Sequence, residues 1–407
     1  MRKPGIKVGY ILTTFPCRTE TFAVREIEVL RKSGCAITVF GAVSQRPACK
    51  DTIKVFYRPE IFSTEALLSI SYLSVKYPRA LGILIYLVFK LIRTCPKEAV
   101  SLIGNIHTIG FFARHLDNEA IGHIHAYFLS WPSTIGMALS MITRRSFSIS
   151  AHARDIFVEH GAMELKISHA NFVSVCTRQG LEYLKANLPV KYHHKLHLNY
   201  HGIRVASGLP DCDDKNKYEP KRDDTVIAVG RLIPKKGFAN LVRAFNRVVQ
   251  EKSQCRLVII GDGPERKRLV GLTEQLNLKN HVELLGWQDF DVTLRLIRQS
   301  TVLVAPSLIS DDGDRDGIPN VILEAFACGT PVIASRLEGI SEAVEHRVTG
   351  LLVGPGDVLE LASAIEELLD NRYLHSQLSH RAYETVIQRF NSAENIKQLR
   401  RLFTSIN

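Results

Sequence analysis

The second half of the chain repeats one unit: a short apolar run, a turn, then a stretch with helical periodicity. "TVIAVGRL" leads into "GFANLVRAFNRVVQ", "RLVIIGDG" into "PERKRLVGLTEQLN", and "VELLGW" into "DVTLRLIRQS". "TVLVAPS", "PVIAS" and "TGLLVGPGD" continue the series. Short Val/Ile/Leu runs bounded by Gly or Pro read as strands buried on both faces. Strands separated by helices pair in parallel through right-handed crossovers, so this pattern predicts a doubly wound sheet.

The first half has the same grammar, more loosely. "IKVGYIL" is followed by the loop "TTFPCRTETF", the helical "AVREIEVLRKSG" ending at a Gly34 cap, and the strand "AITVFGAV". "HIHAYF", "SFSISAH", "NFVSVCT" and "KLHLNYHGI" read as further strands. Between Val205 and Asp224 the pattern lapses into "ASGLPDCDDKNKYEPKRDD", polar and marked by Pro and Gly. The expected organisation is a Rossmann-like domain over 1–204, a linker over 205–224 and a second Rossmann-like domain over 225–385. A C-terminal helix over 386–407 is free to pack back on the first domain. The fold class is α/β, with two doubly wound domains facing across a deep cleft. Ligands in such folds sit outside the C-terminal ends of the strands, so function is read from the residues just after them.

Composition narrows the function. With 407 residues, 45% of them hydrophobic and 23% charged, the chain can bury two cores and is globular. Its eight cysteines form no CxxC pair or metal-ligand spacing and read as reduced thiols of a cytoplasmic protein. The basic start lacks the long apolar core of a signal peptide. A net charge of +11 suits nucleic acid, anionic lipid or phosphorylated substrates alike. Nucleic acid is not the expected partner, since there is no zinc-finger spacing, RNP-like strand or long basic helix. The most apolar window, Ala66 to Thr94, is interrupted by Lys76, Pro78 and Arg79, and its longest clean piece, Ala80 to Phe89, is far short of the ~20 residues a spanning helix needs. The simpler reading is a pair of buried helices. The sharper one is a membrane-touching surface, with Lys76, Arg79, Lys90 and Arg93 beside apolar positions.

Three loops carry chemistry. In "VGRLIPKKGF", Arg231 leaves a strand, and Lys235 and Lys236 precede Gly237 at a helix start, an arrangement suited to a diphosphate. Spacing does not say which lysine points inward. In "IIGDGPE", Gly261 and Gly263 either admit a ligand to the backbone or form a plain turn. In "SDDGDRDGIPNVILEAFACGTPV", Asp316 stands at a helix mouth and Glu324 about a turn inside, placed to accept from paired hydroxyls of a ligand lying across the N-terminus. Two plainer readings stay open: Asp316 as a dipole-favoured acid, and Glu324 in a buried salt bridge. Asp311, Asp312 and Asp314 read as solvated loop charges. Among 15 histidines, His152 stands out, following the strand "SFSIS" between small Ala151 and Ala153; His123, His125 and His201 also lie near strand ends.

Together these motifs resemble retaining family-4 glycosyltransferases, whose fold is GT-B. "DGIPNVILEAFACGTPVIAS" is similar to the family's E-x7-E segment, and "VGRLIPKKGF", "LVIIGDGPERKRL" and "GISEAVEHRVTGLLVGPGD" follow the family's order. "TFPCRTETFAVREIEVLRKSG", "HIHAYFLSWPSTIGMALS" and "SISAHARDIF" resemble its exopolysaccharide and lipopolysaccharide branch. The resemblance implies a hexosyltransferase-type enzyme moving a sugar, with retention, from a nucleotide-diphosphate sugar to a lipid-linked or growing polysaccharide acceptor. It implies that Glu324 accepts from ribose hydroxyls, Asp316 contacts the donor sugar, Arg231 and Lys236 hold the diphosphate, and His152 lies near the transferring carbon. Gly261, Gly263, Gly317, Ile318 and Asn320 would complete the donor site. Two departures stand: Asp316 replaces the commoner Glu, and no Gly-Gly loop follows the first strand, where Thr19, Glu20 and Thr21 would cover the acceptor side instead. No metal or cofactor is expected, because the DGD of Asp312 to Asp314 lies in the wrong region for a metal motif. The expected partners are a nucleotide sugar, a lipid-linked or oligosaccharide acceptor and, on the sharper reading of 66–94, the anionic inner face of the cytoplasmic membrane. The other readings are a GT-B sugar-nucleotide epimerase or phosphorylase, and a non-catalytic sugar-nucleotide or polysaccharide binder.

Overall fold

The structure is a computed structural model and describes residues 6–17, 21–43, 53–159, 161–203 and 224–406. The predicted linker lies outside these residues except for Asp224, as do Thr19 and Glu20. The chain divides into two compact units: unit 1, Met1–His201 with Ala393–Asn407, and unit 2, Gly202–Ser392.

Unit 1 is built on the strands β1 (Lys7–Thr14), β2 (Ala36–Val43), β3 (Lys54–Tyr57), β4 (His123–Tyr127), β5 (Ser146–Ala151), β6 (Phe172–Val175) and β7 (Leu196–Leu198). They form one sheet in the order β3-β2-β1-β4-β5-β6-β7. Every pairing is parallel; Val8 of β1 lies opposite Ile37 on one side and His123 on the other. The first helix, Thr21–Lys32, ends as predicted at Gly34, whose left-handed φ of 92° lets the Cys35 N–H reach Leu30 O. The edge strand β3 has no signature in the sequence: "KVFY" is too short to show alternation.

Two cores flank this sheet. On one face the helices Ile106–Asn118 and Trp131–Thr143 are buried along most of their length. On the other, the C-terminal helix Ser392–Thr404 buries Ile396, Leu399 and Phe403 against Val8, Tyr10, Val39 and Phe172. Each such side chain taken from water contributes roughly 1.5–3 kcal/mol. The reading of 66–94 as a pair of buried helices is corrected. Thr64–Lys76 buries only Ala66, Ser69 and Leu73, and Ala80–Thr94 only Ala80, Leu84, Leu87 and Leu91.

Unit 2 holds β8 (Thr225–Val229), β9 (Arg256–Ile260), β10 (Val282–Gly286), β11 (Val302–Ala305), β12 (Val332–Ser335) and β13 (Leu351–Val353), in the order β10-β9-β8-β11-β12-β13 and again all parallel. Phe238–Glu251 follows β8 and buries Phe238, Leu241, Val242, Phe245 and Val248 on one stripe. The helix after β9 starts at Arg266 rather than at Pro264, and the Glu265 N–H before it is satisfied by Leu232 O, 2.9 Å away.

Both sheets therefore reverse their strand order once, between β1 and β4 and between β8 and β11. At such a switch point neighbouring crossovers leave to opposite faces and open a crevice at the strand ends.

Candidate functional site

In unit 2 the two segments flanking the switch point are locked together by backbone contacts. Gly237 has φ of 65°, and a Cβ there would come within 1.9 Å of Pro306 O, so only glycine allows the β8 and β11 exits to touch. The Leu308 N–H then donates to Lys235 O at 2.7 Å. This stitching carries both lysines over the loop after β11. Lys235 Nζ lies 3.0 Å from Asp314 Oδ1 and 3.5 Å from Asp316 Oδ1; Lys236 Nζ lies 2.7 Å from Asp316 Oδ2. Ser307 Oγ donates to the same Asp316 oxygen at 2.7 Å.

The cluster is buried, and its electrostatics follow from that. Burial alone would raise the Asp316 pKa, but the facing charges of Lys236 and Lys235, with hydrogen bonds from Lys236 and Ser307, outweigh it and hold the carboxyl at about 2. Asp314 is also buried, which corrects its reading as a solvated charge: its partner is Lys235. Both lysines point inward. Lys235 is the deeper and is used within the fold, whereas Lys236 retains more contact with solvent. Arg231 is exposed at the end of β8.

Gly261 and Gly263 have a packing role in the fold. A Cβ at Gly261 would meet Gly230 O at 1.9 Å, and one at Gly263 would meet Leu232 O at 2.5 Å. Their φ values of 142° and 156° are ones that side chains disfavour, so they bring the β9 exit against the β8 exit. The Leu232 N–H seals the contact on Asp262 O at 2.9 Å. Beyond Asp316, Gly317 packs against Gly339, where a Cβ would lie 2.9 Å from the Gly317 Cα. Half-buried Ile318 leads into the helix Asn320–Cys328, which carries Glu324 on its buried side. The N–H groups of that helix's first turn lack intrahelical partners by construction, beside the lysine–aspartate cluster in sequence.

In unit 1 the predicted residue is His152, immediately after β5. Its ring lies in an aromatic nest: centroid distances are 4.6 Å to Phe128, 4.8 Å to His201 with planes 7° apart, 5.0 Å to Tyr127 and 5.5 Å to Phe22. Asp155 fixes the backbone below it, accepting the His152 N–H at 2.6 Å and also the Leu129 N–H. Among the described residues neither buried imidazole nitrogen of His152 has a hydrogen-bond partner. Burial, then the neighbouring His201 and His125, keep the ring neutral by pushing its pKa well below the ordinary value. A neutral imidazole offers one donor and one acceptor, a match for sugar hydroxyls.

The other histidines separate cleanly. His123 and His125 are ladder residues: Ser146 and Ser148 satisfy the first at 2.7 and 2.6 Å, and Ser148 and Ser150 the second at 2.7 and 2.9 Å. His201 belongs with His152, its Nδ1 3.8 Å from Glu26 Oε2. Glu26 accepts from Tyr10 at 3.0 Å and Tyr127 at 3.5 Å, and burial, only partly offset by those bonds, raises its pKa to about 7. Sequence reasoning missed Glu26. The available signal was a carboxylate on the core stripe of the first helix with Ala23, Ile27 and Leu30. Of the acceptor-side residues, Thr19 and Glu20 lie outside the described residues, and Thr21 opens the first helix with its side chain outside them. Among the described residues no group of three His, Cys, Asp or Glu could hold a metal ion.

Comparison with known proteins bears on both units. Residues 212–385 match the family described as "Glycosyl transferases group 1". The chain is 36% identical over 165 residues to the lipopolysaccharide core biosynthesis glycosyltransferase LpsD of Rhizobium meliloti, covering 40% of this chain and 45% of that protein. It is 34% identical over 183 residues to the putative colanic acid biosynthesis glycosyltransferase WcaL of Salmonella typhimurium, covering 44% and 45% respectively. The chain thus spans less than half the length of these relatives. Among solved structures, the Anabaena protein HepE in complex with UDP-glucose superposes with a TM-score of 0.70 at 17% identity, over 98% of this chain and 100% of that one. The fold is that of the GT-B glycosyltransferases, with two parallel-sheet Rossmann-like units.

Proposed function

We propose that the protein transfers a hexose, with retention, from a nucleotide-diphosphate sugar to a lipid-linked or growing polysaccharide acceptor in cell-surface polysaccharide synthesis, and does so in the cytoplasm. The observation that carries this reading is the pair of half-buried Lys236 and buried Asp316 at the switch point of unit 2, the latter next in sequence to the helix that bears Glu324. The matched family, the polysaccharide glycosyltransferases among the relatives and the UDP-glucose held by HepE support it.

On this reading the diphosphate takes Lys236 as its counter-charge, with Arg231 and the first-turn amides of Asn320–Cys328 beside it. That stabilises charge building on the departing phosphate. Asp316, relieved of Lys236, accepts from hydroxyls of the donor sugar, and Glu324 accepts from the ribose. His152 donates to or accepts from a sugar hydroxyl as a neutral ring. The leaving phosphate takes the acceptor proton as the new bond forms on the same face, so no side chain acts as nucleophile and no metal is needed. A thermal-shift screen of nucleotide sugars, followed by turnover with the best binder, tests this. Glu324→Ala should lower kcat/KM more than about a hundredfold, ~2.7 kcal/mol, with an unchanged circular dichroism spectrum. An active Glu324→Ala protein, or epimerisation of the donor without acceptor, sinks the reading.

A further inference from the structure

We infer that the outer faces of the helices Thr64–Lys76, Ala80–Thr94 and Pro96–Gly104 form a docking surface for an anionic lipid bilayer. The inference rests on the proposed reaction only for its purpose, delivery of the active site to a lipid-linked acceptor. Its evidence is independent.

The three helices are consecutive and lie on the outside of unit 1, packed onto Ile106–Asn118 and Trp131–Thr143. The side they turn away from that core is apolar. Phe62, just before the first of them, is 98% exposed, Val75 84% and Val100 70%. In Ala80–Thr94 the exposed Leu81, Ile85, Phe89 and Ile92 fall within about 80° of one another at ~100° per residue, well round from the buried stripe of Ala80, Leu84, Leu87 and Leu91. A globular protein rarely exposes a contiguous apolar face this large unless something covers it.

The charge pattern identifies what covers it. Lys76, Arg79, Lys90, Arg93 and Lys97 are all exposed around this face. Segment 64–104 has two acidic residues, Glu65 and Glu98, and both are engaged with other parts of unit 1: Glu65 with Arg114, and Glu98 with buried Lys166. Exposed Glu60, two residues before Phe62, is an acid at the edge of this face; within 64–104 the outward charge is positive. Protein–protein interfaces are depleted of lysine at their cores, and a second copy of this chain would oppose like charges. In an anionic bilayer the same residues are favourable: apolar side chains enter the acyl boundary while lysine and arginine reach back to the headgroups. Ala80–Thr94 has 15 residues, about 22 Å of helix, and among the described residues no helix is long and apolar enough to cross a membrane. These helices lie on the surface rather than span it.

The test is co-sedimentation of the full chain with vesicles of phosphatidylcholine alone and of phosphatidylcholine mixed with phosphatidylglycerol, at low and high salt. Binding to the anionic vesicles, weakened by salt and by more than about tenfold in both Leu81→Glu/Phe89→Glu and Lys90→Glu/Arg93→Glu, is the expected result. These residues are exposed, so the variants should keep the wild-type circular dichroism spectrum and transfer to a soluble acceptor. No binding by the wild type, equal binding to both vesicle types, or binding that survives both variants overturns the inference. So does a concentration-dependent dimer, seen by light scattering, that Leu81→Glu/Phe89→Glu dissociates while vesicle binding is absent. No sugar nucleotide enters the assay, so an inactive enzyme that binds vesicles rejects the proposed reaction and not the docking surface.

Discussion

The two switch points share one topology and opposite electrostatics. In unit 2 the polar centre is ionic: two lysines face two aspartates, and the mutual charges overcome burial to hold Asp316 ionised. In unit 1 the polar centre is neutral. Burial wins over every local bond, holding His152 and His201 uncharged and raising Glu26 to about 7. The fold supplies a crevice in both cases, and the residues at the strand ends decide what can enter. An ionic centre can exchange one of its partners for phosphate at little cost. A neutral nest of rings cannot accept a phosphate without leaving it unpaired, but it can hold hydroxyls and the apolar face of a sugar.

The largest expected effect tests the neutrality of the unit 1 centre. Glu26 has a folded pKa raised from 4.5 to about 7, so its contribution to stability is present below the unfolded value and is lost as pH rises through about 7. The wild type should therefore lose on the order of 3 kcal/mol more across that window than Glu26→Gln, whose side chain at that position cannot ionise. Urea unfolding in a Trp287→Phe background, where Trp131 of unit 1 is the remaining tryptophan, measures this. Buried Asp155, also raised to about 7, titrates in both proteins and cancels in the difference. Parallel stability–pH curves for the two proteins would mean that Glu26 is charged in the fold and that the contrast between units is false.

The next effect tests the ionic side. Lys236→Ala should weaken binding of UDP roughly ten- to hundredfold, the worth of one charge-assisted hydrogen bond, and leave uridine binding unchanged. His152→Ala should leave both unchanged. Calorimetry that finds UDP binding insensitive to Lys236, or sensitive to His152, would remove the assignment of phosphate to unit 2.

How much of this was legible in the sequence depended on whether the cause was local. β1, β2 and β8 to β13 announced themselves because a buried parallel strand is an apolar run between breakers. The Lys235–Lys236 pair, Asp316 and His152 stood out because the residues after such strands face the crevice, but spacing did not separate the two lysines. Asp314 was misread because its neighbours are charged and exposed, while its partner Lys235 is 79 positions away. The packing role of Gly261 was not legible because the Gly230 carbonyl it accommodates is not visible in sequence. Helices 64–94 looked buried because composition counts apolar residues without saying which stripe faces the core. Glu26 lies in a helix whose periodicity is plain, but its partners Tyr10 and Tyr127 come from β1 and β4, and Tyr127 is 101 positions away.

The smallest effect sharpens the comparison from the acid side. Ser307 Oγ and Lys236 Nζ both lie 2.7 Å from Asp316 Oδ2. Ser307→Ala removes a neutral donor and leaves both lysines, so Asp316 stays ionised at neutral pH and the loss should be about 1 kcal/mol. The sign follows from the depressed pKa. Asp316 contributes stability above the unfolded value of 3.8 and loses it as pH falls through about 2. The variant, with less depression, has less to lose, so the gap between the two proteins should stay level above about 4 and narrow only as pH falls toward the folded value of about 2. In unit 1 the gap between wild type and Glu26→Gln should instead widen as pH rises. Urea titrations read through Trp287 in a Trp131→Phe background would show it. A Ser307→Ala gap that does not change with pH would mean the hydroxyl supports the loop rather than the charge, and that the lysines alone hold Asp316 ionised.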